Sequence, residues 1–315
     1  MDAAVDEAAL MPRDAVLEDV RAAVAAYNEA RPKVAWSMHM RVMLLFGAYL
    51  LFAAFVTYQV MTTLEMNVLG ILLVVLVLVG GFIWRFSVGP AKLFQQTLRD
   101  RMLPLVFGFV DDVRYANGVE PHFMKAMPGK DFVPRDRSEH GDAISGVHEG
   151  LTFVLSETEL SAGSGKSRQT TFKGIIFHFT REPAFPGLLL AARKPNAMQR
   201  FVRDLFGGSR LALVTSGNPE VDASHEFRTD RPEAATALVQ GTLAKALDYL
   251  ATEWRDDVVR IALNGPDCYL LVPTKKNFFE LPPVDTAIDF DRDIRPMIRD
   301  LVTLLATAQL VNRIG

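Results

Sequence analysis

The sequence predicts an α+β protein: a two-helix transmembrane hairpin, then a soluble domain with a mainly antiparallel sheet and packed helices. Two observations predict the hairpin. Residues 42–64 and residues 66–84 carry no charged side chain, and only Glu65 separates them. A third observation predicts the soluble domain. From Leu151 onward, short stretches of period-two alternation are interspersed with helical stripes and turn residues.

The first element is an N-terminal segment, residues 1–41, with an amphipathic helix over Asp14 to Ala30. Leu17, Val20, Val24 and Tyr27 place one apolar stripe on it. The hairpin occupies 42–84, with spans at about 42–61 and 67–84. A 20-residue helix rises roughly 30 Å, the hydrocarbon thickness of a bilayer. Arg41, Glu65 and Arg85 mark the edges, with Trp36, Tyr58 and Trp84 near the ends as interfacial aromatics. The rival reading is a pair of buried core helices, but such a helix keeps one polar face and Ile71–Val79 has none. A cleaved signal peptide is a poor fit, because the run begins some forty positions in and exceeds an h-region of about 7–15 residues. The connection 62–66 is so short that the two spans must be antiparallel neighbours. Gly70, Gly80 and Gly81 allow close packing without GxxxG spacing. With no ionisable group inside either span, anchoring is a plainer use than transport.

Residues 85–315 form the third part. A separate helix is predicted over Lys92 to Phe107, then a long polar loop with short strands over 111–146. Strands follow at Leu151–Leu155, Ile175–Phe179, Gly187–Ala192 and Leu211–Thr215. Val259–Leu263 and Cys268–Val272 flank Asn264-Gly265-Pro266-Asp267 as a β-hairpin. Helices are predicted over Asn196–Phe206, from a capping box at Asp230–Glu233 through Val239, Leu243, Leu247, Leu250 and Trp254, and over Asp293–Asn312. Lys plus Arg total 34 against 37 Asp plus Glu, a net charge of −3. That balance argues against a nucleic-acid partner. A single cysteine, Cys268, excludes a disulfide framework and a Cys-rich zinc site.

The motifs weigh toward structural uses. Ala162-Gly-Ser-Gly-Lys-Ser167 lacks the first glycine of a phosphate loop, Leu160 standing in its place, and a strand pattern follows it. It reads as a hairpin tip. His140, Asp142 and His148 are the nearest approach to a metal set, and a solvated loop explains them as well. Asp289, Asp291 and Asp293 resemble the start of a calcium loop, but Ile294 and Asp300 stand where its Gly and Glu belong. They read as cap and dipole complement of the last helix. His178 points to the sheet face opposite Phe177 and Phe179. Ser156, Ser161 and Ser216 lack a nucleophile elbow, and Cys268 reads as a small buried hydrophobe. No catalytic, cofactor or metal residue is assigned, and no cofactor is expected.

The C-terminal half resembles a bacterial membrane-protein family known as domain of unknown function 3137. The resemblance rests on Gly141-Asp142-Ala-Ile-Ser-Gly146, Gly150, Ser156-Glu157 and Glu159, then Thr171-Phe172-Lys173-Gly174 running into Ile-Ile-Phe-His-Phe179. Phe185, Gly187, His225-Glu-Phe227, Asp230, Glu233-Ala234 and Asn277-Phe-Phe279-Glu280 continue it. It covers roughly residues 90–312, with a looser stretch between Leu211 and Ser224. It implies a bacterial inner-membrane protein and carries no established reaction, cofactor or catalytic residue. Gly146, Gly150, Gly174 and Gly187 read as structural, at turns, bulges or close backbone approaches.

The expected role is that of a membrane-anchored cytoplasmic module that binds or scaffolds an unknown protein, touching the bilayer through residues 42–84. Homo-oligomerisation is compatible with this. The alternative is a membrane-bound enzyme or lipid-handling domain with a pocket. Arg31, Lys33 and Arg41 precede the first span, and Arg85, Lys92, Arg99 and Arg101 follow the second, whereas the connection holds no Lys or Arg. The positive-inside rule therefore predicts both termini in the cytoplasm.

Overall fold

The computed structural model describes residues 10–63, 66–129, 131–195 and 211–312, with the side chains of 63 and 66–69 excepted. The helix expected over Asn196–Phe206 lies outside the described residues. The chain divides into two compact units: residues 14–106 with 281–294, and residues 1–13, 107–280 and 295–315.

The first unit is helical. Helix α1 (Asp14–Arg41) runs through a π turn, Val42–Phe46, into α2 (Gly47–Thr63). Helix α3 spans Met66–Val106. The expected amphipathic helix and first span are thus one rod, and so are the second span and the helix expected from Lys92. Gly89-Pro90 suggests a break between them, but the helix continues through Pro90. The reason is packing: Tyr27 of α1 stacks on Phe94 of α3 at 5.3 Å, and Ala35 and Ala91 are both buried. That contact outweighs the one backbone hydrogen bond a proline removes. Residues 281–294 are tied to α1 by polar contacts. Asn28 donates to the Ile288 carbonyl at 2.8 Å and accepts from its N–H at 2.9 Å. Arg31 donates to the carbonyls of Val284 and Asp285.

In the apolar stretch the helices bury almost nothing. Leu51, Ile71, Val77 and Phe82 are each at least 70% exposed. The most apolar 18-residue windows of the two rods are 0% and 11% buried. Both are long and apolar enough to cross a membrane.

The second unit is built on a nine-stranded sheet, antiparallel throughout, in the order β1-β2-β3-β4-β9-β8-β5-β7-β6. The strands are β1 (Asp111–Asn117), β2 (Arg137–His148), β3 (Leu151–Ala162), β4 (Gln169–Thr180), β5 (Leu188–Arg193), β6 (Ala212–Val214), β7 (His225–Thr229), β8 (Arg260–Asn264) and β9 (Asp267–Pro273). The expected strands and the 259–272 hairpin are present, and residues 163–168 form the expected tip between β3 and β4. The expected loop 111–146 is different: it holds β1 and the first ten residues of β2. Those strands are polar because side chains link them. Tyr115 and Asn117 both donate to the carboxylate of Asp142, which is buried.

Both faces of the sheet are covered. On one face Phe123, Met124, Met127, Phe132 and Val133 pack on Leu160, Phe172, Ile176, Tyr269 and Leu271. Arg135 holds that covering segment by donating to the carbonyls of Met124, Met127 and Pro128. On the other face Phe177 stacks on Phe153 at 5.2 Å, beside Phe179 and Leu270. Helices α4 (Pro219–Ser224), α5 (Pro232–Leu238), α6 (Ala244–Glu253) and α7 (Arg295–Asn312) complete the unit. Arg181 ties the end of α7 down by donating to the Val311 carbonyl. The capping box expected at Asp230 does not form. Its carboxylate accepts from the Leu188 N–H at 2.7 Å, and α5 starts on Pro232 instead. The expected cap of the last helix is reciprocal: Asp289 accepts from the Arg292 N–H, and Asp293 accepts from the Asp289 N–H.

Two glycines have a specific backbone duty. Gly150, at φ +81°, closes the β2–β3 turn with Glu149, also at positive φ. Gly174, at φ +152°, lets β4 pass against β9. A Cβ there would lie 2.2 Å from the Val272 carbonyl oxygen.

Candidate functional site

Two open clefts lie at one end of the sheet, where β4 and β8 begin and β5 and β9 end. They share Lys173, Thr274 and Lys275. Strand pairing delivers these residues together: Gly174 pairs with Pro273, and the Thr274 N–H donates to the Lys173 carbonyl at 3.1 Å.

The first cleft, about 390 Å³, is bounded by β2, β3 and the segment after β9. Three of its carboxylates are already engaged. Glu139 pairs with Arg137 at 3.1 Å. Glu159 pairs with Lys173 at 3.2 Å and accepts from Thr170 at 3.0 Å. Glu157 accepts from the backbone N–H groups of Phe278 and Phe279, which fastens the segment that carries Asn277 and Glu280. His140 is bonded through Nδ1 to Thr158 at 3.2 Å, and burial holds its pKa below the ordinary histidine value. Such a set binds charge readily.

The second cleft, about 410 Å³, is lined by Lys173, Arg193, Arg260 and Lys275 with Asp256 and Asp257. Arg193 pairs with Asp257 at 3.1 Å. Burial depresses the Arg260 guanidinium, Asp257 counteracts that, and Arg193 adds to it.

Of the candidate metal set, His140 lines the first cleft, and Asp142 and His148 line neither. Among the described residues, no three His, Cys, Asp or Glu side chains gather as a metal requires. His148 contacts the Phe109 carbonyl, Asp142 the side chains on β1, and His140 Thr158. Residues 170–313 match a family described as protein of unknown function (DUF3137). The matched stretch holds every residue of the second cleft and begins after the blocks Gly141–Glu159. No curated protein and no solved structure matches the chain.

His178, inside the matched stretch, is buried on the face opposite Phe177, as expected. It bonds Asp267 at 2.8 Å and stacks on Phe123 at 4.9 Å. Burial lowers its pKa, against the pull of Asp267. Ser156 is fully buried, and Ser216 donates to Asp222. Cys268 is buried, and desolvation raises its thiol far above the usual range. The cationic rim has no signature in the local sequence pattern. Lys173, Arg193, Arg260 and Lys275 stand far apart in the chain at four strand ends, and only the strand order brings them together.

Proposed function

We propose that the chain is a membrane-anchored binding module. A two-helix hairpin through residues 42–84 holds it in a bacterial inner membrane, with both termini in the cytoplasm. The soluble sheet unit engages a protein partner there, either another protein or a second copy of the chain. The observation that supports the anchor is exposure. Soluble chains keep contiguous apolar patches to a few hundred Å², whereas Met43, Leu51, Phe52, Phe55, Ile71, Leu78 and Phe82 are all at least 59% exposed along the two rods. A buried core helix would have the opposite pattern. The basic flanks, Arg31, Lys33 and Arg41 before the hairpin and Arg85, Lys92, Arg99 and Arg101 after it, favour the cytoplasmic orientation.

Engaged carboxylates and open clefts favour binding over catalysis. The test is fractionation followed by topology. The full chain should stay in the membrane pellet after carbonate extraction. Alkaline phosphatase fused after Gly315 should be inactive, and a cytoplasm-dependent fluorescent protein in its place should be bright. Release by carbonate would refute the anchor, and an active phosphatase would refute the orientation.

A further inference from the structure

We propose that the second cleft is a binding site for a phosphate monoester. The argument starts from charge. Four cations and two carboxylates line the cleft. Asp257 is taken by Arg193 at 3.1 Å, and its other oxygen accepts from the Val258 N–H at 2.8 Å. Asp256 accepts from the backbone N–H of Lys275 at 3.2 Å, not from its ammonium. Lys173 is paired outward with Glu159. Among the described residues, the side chains of Arg260 and Lys275 have no carboxylate at ion-pair distance. The Nε of Arg260 is buried and has no hydrogen-bond partner at all.

Arg260 is half-buried, and a guanidinium whose Nε is shut off from water without a hydrogen-bond partner is costly. Asp257 offsets part of the burial cost, and Arg193, of the same sign, adds to it. The rest of the demand is met by an anion from outside the chain. Two guanidinium forks and an ammonium around one recess match a dianion with several oxygens better than a single carboxylate. The opening, about 410 Å³, admits the phosphate and the small group that bears it. The ligand is either a soluble phosphorylated compound or the headgroup of a phosphatidic lipid, which present the same chemistry.

The experiment uses the full chain in neutral detergent. Inorganic phosphate and a short-chain phosphatidic acid below its micelle concentration are titrated separately, and affinity is read by calorimetry and by the shift in thermal midpoint. The wild type should be stabilised by at least one probe. Stabilisation by both points to the soluble source, and by the lipid alone to the headgroup. Arg260→Gln should weaken binding at least tenfold while melting no lower than the wild type without ligand, because it removes an unpaired buried charge. Lys275→Gln should weaken binding too, and it carries the test if Arg260→Gln fails to fold. Lys276→Gln makes the same charge change in the neighbouring cleft and should leave binding unchanged. No stabilisation by either probe overturns the site, as does an equal loss in Lys276→Gln. The outcome is independent of whether the hairpin spans a membrane.

Discussion

Replacing Gly174 by alanine tests the packing of the sheet at its centre. The β4–β9 pair joins the N-terminal four strands to the rest, so the whole unit depends on it. A Cβ at Gly174 would meet the Val272 carbonyl oxygen at 2.2 Å, the Thr274 nitrogen at 2.7 Å and the Pro273 Cα at 2.9 Å, all backbone atoms, where ordinary contact begins at 3.4 Å. A side chain at positive φ costs roughly 1–2 kcal/mol, and forcing two packed elements apart adds about 1–3 kcal/mol. The sum, about 2–5 kcal/mol, is a large share of the roughly 5–15 kcal/mol that holds a domain together. Gly150→Ala isolates the first part, because Gly150 is at φ +81° with nothing within 4 Å. Cys268 is the readout. It is the chain's one cysteine and lies buried on β9, so a thiol reagent reaches it only when the unit opens. Where opening is fast relative to labelling, the rate tracks the open population. Gly174→Ala should then label about one and a half to three and a half orders of magnitude faster than the wild type, and Gly150→Ala about tenfold faster, at ~1.4 kcal/mol per decade. Equal rates for the two variants would refute the close approach of β4 to β9.

Three further outcomes are expected. Burial lowers the pKa of His178 and His225 in the folded chain, so the unfolded chain binds more protons just below the ordinary histidine value of about 6.5. Stability should be flat above that pH and fall as pH drops below it, by up to about 1.4 kcal/mol per pH unit for each histidine. Thermal midpoints between about pH 5 and 8 check this, and His178→Asn should flatten the slope. Glu157→Ala leaves the amides of Phe278 and Phe279 without the carboxylate that receives them and should cost about 1–3 kcal/mol. Hydrogen exchange should speed up first at those two residues. Phe177→Ala empties a fully buried site between Phe153 and Phe179 and should cost about 3–5 kcal/mol by denaturant titration.

What the sequence made legible follows from how each element is buried. In β3 and β4 the two sheet faces differ in the size and chemistry of their side chains, and alternation marks Phe153, Leu155, Phe177 and Phe179 directly. β2 escapes the same reading because its pairing with β1 rests partly on polar side chains, with Asp142 buried between Tyr115 and Asn117. A polar residue whose partner is 27 positions away in the chain looks like a solvated loop until the partner is known. The continuous rods escape for a different reason. Pro90 is a stop signal read locally, whereas the helix runs through it beside packing contacts such as Tyr27 on Phe94 that a local reading does not contain. The cationic cleft leaves no local trace, because each contributing strand end is an ordinary polar terminus until the sheet order joins them.

The chain contains two kinds of apolar helix, and their difference separates anchor from core. Helix α7 is buried over most of its circumference, with Leu301, Val302, Leu304, Leu305, Ala306 and Ala308 all at 1% exposure or less. It nevertheless carries charge where it begins, and its buried hydroxyls are satisfied internally: Thr303 donates to the Arg299 carbonyl and Thr307 to the Thr303 carbonyl. A helix that must meet both water and a core keeps such polar positions. Between Gly70 and Trp84 helix α3 has none, and it leaves Ile71, Leu73, Val74, Val77, Leu78 and Phe82 exposed while Gly80 packs on Tyr49. Water penalises that surface at ~25 cal/mol per Å², and hydrocarbon does not. Hydropathy separates them too: the two rods are apolar enough to cross a membrane, and α7 is not among such helices. Burial gives the reason, because α7 already has its apolar partners within the unit, whereas the rods leave exposed an apolar surface of the kind that hydrocarbon accepts.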